Sequence, residues 1–245
     1  MSRERIIKKQ ARESLRGNFA ALIAGMLALA AAAVILSNLP AFGAYLLGLV
    51  NADTDEITDG NFLWYLLLEF GTIVLALFIS PLVNGFFKLA ADTAVKGRCD
   101  INSFFGCFSA PRIYFRTIAL NAGLCAVYAA LTAPVAVAGK FLDGIVPEPA
   151  VIAVLAIWQI LVYIFFIHYP LAAYALNGNH PMYHYLFGLA GFSFRYSGAL
   201  LKLVFSMIGW IALCFFVIPC LYVIPYLSVT LMNSARWLFE LNNKI

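Results

Sequence analysis

Charge is what this chain has least of. Asp, Glu, Lys and Arg make up 11% of its 245 residues against 63% hydrophobic residues, and the mean hydropathy is +0.89. A water-soluble globule of this size needs more polar surface, so the composition excludes a soluble domain and makes a bilayer the chain's solvent. Alternating polarity is missing as well. The apolar runs are too long for the roughly ten-residue strands of an outer-membrane barrel, which leaves helices, whose backbone satisfies itself in lipid. The short motifs of soluble chemistry are also absent: there is no phosphate loop, dinucleotide fingerprint or serine-hydrolase elbow. Cys99, Cys107, Cys125, Cys214 and Cys220 form no Cys-x-x-Cys pair, and no disulfide is expected for Cys99 and Cys107 in a reducing cytoplasm. No small-residue cleavage site precedes the first apolar run, so no cleavable signal peptide is expected.

What charge there is lies on one side. Of the 16 Lys and Arg residues, all but Lys140 fall in segments that a membrane topology assigns to the cytoplasm, where short basic loops remain. The net charge of +4 therefore reflects topology, and no nucleic-acid partner is expected. Residues 1–17 carry Arg3, Arg5, Lys8, Lys9, Arg12 and Arg16 between Ile6, Ile7, Ala11 and Leu15, a spacing that predicts a basic amphipathic helix on the membrane surface, held by anionic lipid.

The fold class expected for residues 18–245 is all-α: a polytopic bundle of six transmembrane helices, with two cytoplasmic amphipathic elbow helices and both termini cytoplasmic. The first span begins at Asn18. Apolar character persists to Val50, about 50 Å of helix, so a bend is expected at Asn38 and Pro40, with residues 41–50 forming a short outer or re-entrant piece. The acidic loop with Asp53, Asp55, Glu56 and Asp59 follows outside. The second span runs from Phe62 to Leu89, broken at Pro81. An elbow over 90–116 follows, with Asp100 or Asn102 as N-cap before Phe104, Phe105 and Phe108. Further spans are expected over 113–138 and 150–176. The second elbow, 177–196, has Asn179 or His180 as cap and Pro181 in its first turn. The run 198–241 is long enough for two spans turning at Pro219. A proline-broken helix followed by an aromatic elbow recurs in 62–138 and 150–218, which suggests a pseudo-repeat of the kind seen in transporters.

The segments Lys202-Leu203-Val204-Phe205-Ser206-Met207-Ile208-Gly209-Trp210, Ile224-Pro225-Tyr226 and Met232-Asn233-Ser234-Ala235-Arg236-Trp237 resemble the bacterial integral-membrane family designated domain of unknown function 975. Ala11-Arg12-Glu13-Ser14-Leu15-Arg16-Gly17-Asn18 resembles its amino-terminal start. Phe205-Ser206-Met207 departs from the Ser-Phe usual there. The resemblance implies a polytopic bacterial inner-membrane protein and transfers no catalytic residue.

Polar residues within spans are costly in lipid and carry the functional hints. Glu69 and Gln159 fall at similar depth in the outer half, where Glu69 could hold a proton or cation; Asn84, Asn121 and His168 share a depth in the inner half. Interhelical hydrogen bonding that fixes packing, with Glu69 near enough to the surface to be hydrated, is the favoured account of them. The alanine stripes Ala20, Ala24, Ala28, Ala32 and Ala122, Ala126, Ala130, the latter beside Gly123, predict close packing of the first and third spans. His180 and His184 lack an adjacent glutamate and have Pro181 between them, so neither a zinc-protease motif nor a metal is expected. No nucleophile-and-base pair is present, which argues against an enzyme, and no cofactor is expected. Two function classes remain. One is a transport-related or lipid- and peptide-handling module with a polar cavity. The other is a non-transporting scaffold or accessory subunit that docks a protein partner, or a second copy, through its elbows. In either case membrane lipids are partners.

Overall fold

The structure, a computed structural model, describes residues 3–50, 61–141 and 147–242; the acidic loop at 53–59 and Lys244 lie outside the described residues. Helix α1 (Arg3–Leu15) forms as its period predicts. Its apolar face, however, is closed by protein: Ile7, Ala11 and Leu15 are buried against α10 (Val217–Leu241) and α4 (Pro81–Lys96). The expectation that this face rests on lipid is therefore corrected. Its spacing suits any apolar groove, and here the protein supplies one. Gly17, at a φ of 84°, turns the chain. Asn18 then pins the junction to the end of α4: its Nδ2 donates to the Ser14 and Gly97 carbonyls at 2.7 and 2.8 Å, while its Oδ1 accepts from the Cys99 amide at 2.9 Å.

Helix α2 (Phe19–Leu46) runs unbroken through Pro40, so the expected bend and re-entrant piece are replaced by continued helix. Proline costs one ladder bond, whereas leaving the helical state in lipid would orphan every backbone group that follows. Helix α3 (Phe62–Ile79) passes through Ser80 into α4, with Pro81 at the first helical position, and α4 ends at left-handed Gly97. Asp100 accepts from the Asn102 amide and caps a 3-10 helix, Ile101–Phe108. Helix α5 (Pro111–Phe141) leads to α6 (Glu148–Val162), a π-helical turn over Tyr163–Ile167 and α7 (His168–Leu176). At the second turn the caps differ from expectation: the Asn177 side chain accepts from the Asn179 amide, and the Tyr185 hydroxyl from the His180 amide. A π turn, His184–Gly188, precedes α8 (Ala190–Phe205).

Among the described residues five helices are long and apolar enough to cross a membrane: Phe19–Leu46, Phe62–Lys96, Pro111–Phe141, Glu148–Leu176 and Ile218–Leu241. This describes a multi-pass membrane protein. Among the described residues a sixth continuous helix of that length does not form. The run from Gly198 breaks after α8 at Ser206, whose hydroxyl donates to the Leu203 carbonyl at 2.6 Å in competition with the ladder, and resumes only as α9 (Ile208–Ala212). The chain turns at extended Phe216 rather than at Pro219, which sits in the first turn of α10, where a missing N–H costs nothing.

The first four long helices are 28 to 35 residues, roughly 42 to 52 Å, against a ~30 Å hydrocarbon core. Most of their buried residues gather at one end, Leu22 on α2, Leu89 to Ala94 on α4, Thr117 to Leu124 on α5 and His168 to Ala175 on α7, packed on α1, α8 and α10, while α2 also buries Pro40 and Ala44 near its other end. Glycines rather than alanines let the chains approach. A Cβ on Gly25 would meet Leu89 at 2.8 Å, and one on Gly123 would meet Leu186 at 2.9 Å. Ala24 and Ala126 are exposed, and α2 packs on α3, α4 and α10 while α5 packs mainly on α6. The predicted stripe-to-stripe contact is thus corrected, because Ala places no cost on facing lipid.

Candidate functional site

At the end where the buried residues gather, α4, the 3-10 helix, the start of α5 and the end of α7 enclose a cleft of about 660 Å³. Lys88, Asp92 and Lys96 fall on one face of α4 because they are four apart. Asp92 is 4% exposed and bridges the two cations, with Oδ1 2.9 Å from Lys96 Nζ and 3.5 Å from Lys88 Nζ. Lys88 also donates to the Ala175 carbonyl at 3.1 Å, tying α4 to α7. Arg112 and Arg116 enter from the first turns of α5. Arg116 donates to the His180 carbonyl and stacks over Tyr174, with Cζ 5.8 Å from the ring centroid. Arg112 has no ion pair or hydrogen bond among the described residues and lines the cleft. Four cations against one carboxylate leave a net +3 in a confined volume, which focuses a positive potential on whatever enters. Cys107 also lines the cleft, and burial pushes its thiol up, so it is not an activated nucleophile.

Deeper along the same three helices lies an apolar groove of about 280 Å³, lined by Val83, Leu124, Tyr128, Tyr163, Ile167 and Leu171 among others and open at the side. Between cleft and groove stand two hydrogen-bonded pairs. The Thr117 and Tyr174 hydroxyls are 2.8 Å apart, and Asn84 Nδ2 donates to Asn121 Oδ1 at 2.9 Å, while Asn121 Nδ2 donates to Ser80 Oγ at 2.9 Å.

The inner polar layer is therefore brought together in part. Asn84 and Asn121 meet, but His168 faces elsewhere, enclosed with Phe86, Phe87, Tyr163 and Met232 around a cavity of about 140 Å³ between α4, α7 and α10. Its Nδ1 lies 3.4 Å from the Tyr163 hydroxyl. Its Nε2 has no hydrogen bond, although the Leu231 carbonyl is close by. The outer pair is not brought together: Gln159 is exposed on α6, and Glu69, half-buried, accepts from Tyr65 at 3.0 Å one turn away on its own helix. Of the amino-terminal cations, Lys8 donates to the Ser206 carbonyl at 2.9 Å, Lys9 lies 3.8 Å from Glu13, and Arg12 packs over Tyr226 at 5.7 Å. Arg5 and Arg16 are exposed. No group of metal-ligating side chains occurs among the described residues.

Sequence reasoning treated Lys96, Arg112 and Arg116 as topology signals and passed over Lys88 and Asp92. The Lys-x3-Asp-x3-Lys spacing was the available clue, since a carboxylate between two lysines on one helix face becomes a fixed anchor once that face is covered. Comparison with family models, with curated proteins and with solved structures finds no match to the chain, so the site's chemistry is read from its own geometry.

Proposed function

We propose that this multi-pass membrane protein is an amphiphile-handling module of the bacterial inner membrane, with both termini cytoplasmic, and that it holds the anionic headgroup of a lipid-like molecule in the cleft at Lys88, Lys96, Arg112 and Arg116. The observation that carries the reading is the placing of a cationic cleft and an apolar groove along the same helices α4, α5 and α7, with only the Thr117–Tyr174 and Asn84–Asn121 pairs between them. An anionic amphiphile has that same division of chemistry. Arg112 offers a free guanidinium for bidentate contact with a phosphate or carboxylate, while Asp92 keeps the two lysines extended and aimed. The acyl chain would follow the groove along Val83, Leu124 and Leu171. Exposed Phe105, Phe108, Tyr183 and Phe187 on the two turns suit the headgroup level of the bilayer, as the elbow reading requires. The molecule at issue is thus taken up from the leaflet, and the reading assigns no chemical reaction to the site.

The test is ligand-induced thermal stabilisation of the detergent-purified protein with three probes: dihexanoyl phosphatidylglycerol, dihexanoyl phosphatidylcholine and inorganic phosphate. The anionic lipid is expected to stabilise most, by about 2.7 kcal/mol at a hundredfold excess over Kd, and Arg112→Ala should weaken it at least tenfold. Asp92→Asn removes the carboxylate that holds both lysines, so it should lower the stability of the ligand-free protein. Equal stabilisation by phosphate alone would identify a soluble anion as the ligand. No discrimination between the two lipids, or no effect of Arg112→Ala, would refute the assignment.

A further inference from the structure

We infer that the carboxy-terminal segment, α8 through α10, does not cross the bilayer but lies along its cytoplasmic face, with the apolar strip at Phe205, Ile208, Phe216 and Ile218 set into the acyl layer of that leaflet. The inference rests on the cytoplasmic assignment of α1 and is independent of what occupies the cationic cleft.

Helix α1 is the level marker, since a segment with Arg3, Arg5, Lys8, Lys9, Arg12 and Arg16 cannot enter the hydrocarbon core. It touches the carboxy-terminal segment repeatedly. Lys202 Nζ on α8 is 3.4 Å from Glu4, Lys8 Nζ is 2.9 Å from the Ser206 carbonyl, and Arg12 lies over Tyr226 on α10. Both ends of α10 also reach the same layer of the bundle. Near its start, the Tyr222 ring is 5.3 Å from Phe19, the first residue of α2. Near its end, Arg236 Nη1 donates at 3.1 Å to the Ala94 carbonyl in the last turn of α4. Phe19 and Ala94 are themselves at one level, because Asn18 is hydrogen-bonded to Gly97. Tyr222 and Arg236 stand about 21 Å apart along the helix axis, yet both meet the inner ends of their neighbours. A crossing helix antiparallel to α2 would instead carry Tyr222 towards the far end of α2.

Burial agrees. The apolar window of Ile218–Leu241 is 50% buried inside the protein, against 6 to 11% for the other four long helices, and its mean hydropathy of 1.3 is the lowest of the five. Such a helix is covered by protein, where the lipid-facing helices are covered by acyl chains. Four crossings return the carboxy terminus to the cytoplasm and leave every described Lys and Arg but Lys140 there, whereas five would not.

The strip remains to be covered. Phe205, Ile208, Phe216 and Ile218 are 60 to 82% exposed, beside the exposed ammonium of Lys202. Apolar groups next to Lys202, itself paired with Glu4, at the level of a basic surface helix match a leaflet with anionic headgroups, and the same leaflet already surrounds the lipid-facing faces of α2 and α5.

Ile218→Cys, made in a chain whose native cysteines are replaced by alanine, tests this with Lys140→Cys as the outer control and Lys96→Cys as the inner one. An impermeant maleimide added outside is expected to label the Lys140 variant and neither of the others. Bimane attached to residue 218 with a permeant reagent is expected to emit as in an apolar medium and to be quenched by spin-labelled lipid of the cytoplasmic leaflet. Labelling of residue 218 from outside overturns the topology, and water-like bimane emission overturns insertion into the leaflet.

Discussion

Gly85→Ala tests the packing that builds the cleft. Gly85 lies on α4 where the 3-10 helix crosses it, and an added Cβ would fall inside the contact radius of the Phe104 carbonyl oxygen and 2.9 Å from its carbonyl carbon. Both atoms are backbone, so no side-chain rotation relieves the clash. Restoring a normal carbon–carbon separation requires the 3-10 helix to move by about 1 Å. That movement lifts Phe104, 1% exposed and packed with Leu89 and Phe86, out of the core. Overpacking of this kind costs about 1 to 3 kcal/mol, and the rigidity of the obstruction puts the expectation at the upper end, a fall of roughly 6 to 12 °C in Tm. Two other glycines calibrate the measurement. At Gly123 the obstruction is the Leu186 side chain at 2.9 Å, which can turn away, so Gly123→Ala should cost less. At Gly71 nothing lies within 4 Å, so Gly71→Ala should be neutral or gain up to about 1 kcal/mol of helix propensity. Thermal unfolding in one detergent, followed by fluorescence-detected size exclusion, ranks the three. Gly85→Ala as stable as the parent, or Gly71→Ala as the worst of the series, would refute the packing.

The docking of α1 on protein predicts that Ile7→Asp, which buries a carboxylate against α4 and α10, lowers Tm strongly and releases the helix to protease, whereas Ile6→Asp at an exposed neighbouring position leaves both unchanged; equal effects would return α1 to the lipid surface. Ala24→Leu and Ala126→Leu place their added methyls outside the protein and should change stability by no more than about 0.5 kcal/mol each, and a loss of 1 to 3 kcal/mol in either would restore the alanine-stripe contact.

Composition and hydropathy alone determine that the chain is helical and membrane-embedded, because 11% charge cannot clothe a soluble fold and because each apolar run must satisfy its own backbone in lipid. Local chemistry was legible at particular residues. Asp100 caps the turn it was expected to cap, Pro81 begins a new helix, and the period of α1 shows that it has an apolar face. The tertiary structure decided what those faces meet. A period records that Ile7, Ala11 and Leu15 share one side of a helix but not whether lipid or α10 covers it. Hydropathy likewise treats Gly198 to Leu241 as two span lengths, without weighing the break at Ser206 or the protein contacts that bury α10. Depth along a helix placed Asn84 level with both Asn121 and His168. Only the rotation of each helix about its axis, fixed by the packing of α4 against α5 and α10, turned Asn121 towards Asn84 and His168 away. The cleft depended on tertiary structure for the same reason. Lys88, Asp92, Arg112 and Arg116 are scattered charges in sequence, and they become one electropositive site when α4, α5 and α7 converge at one end of the bundle.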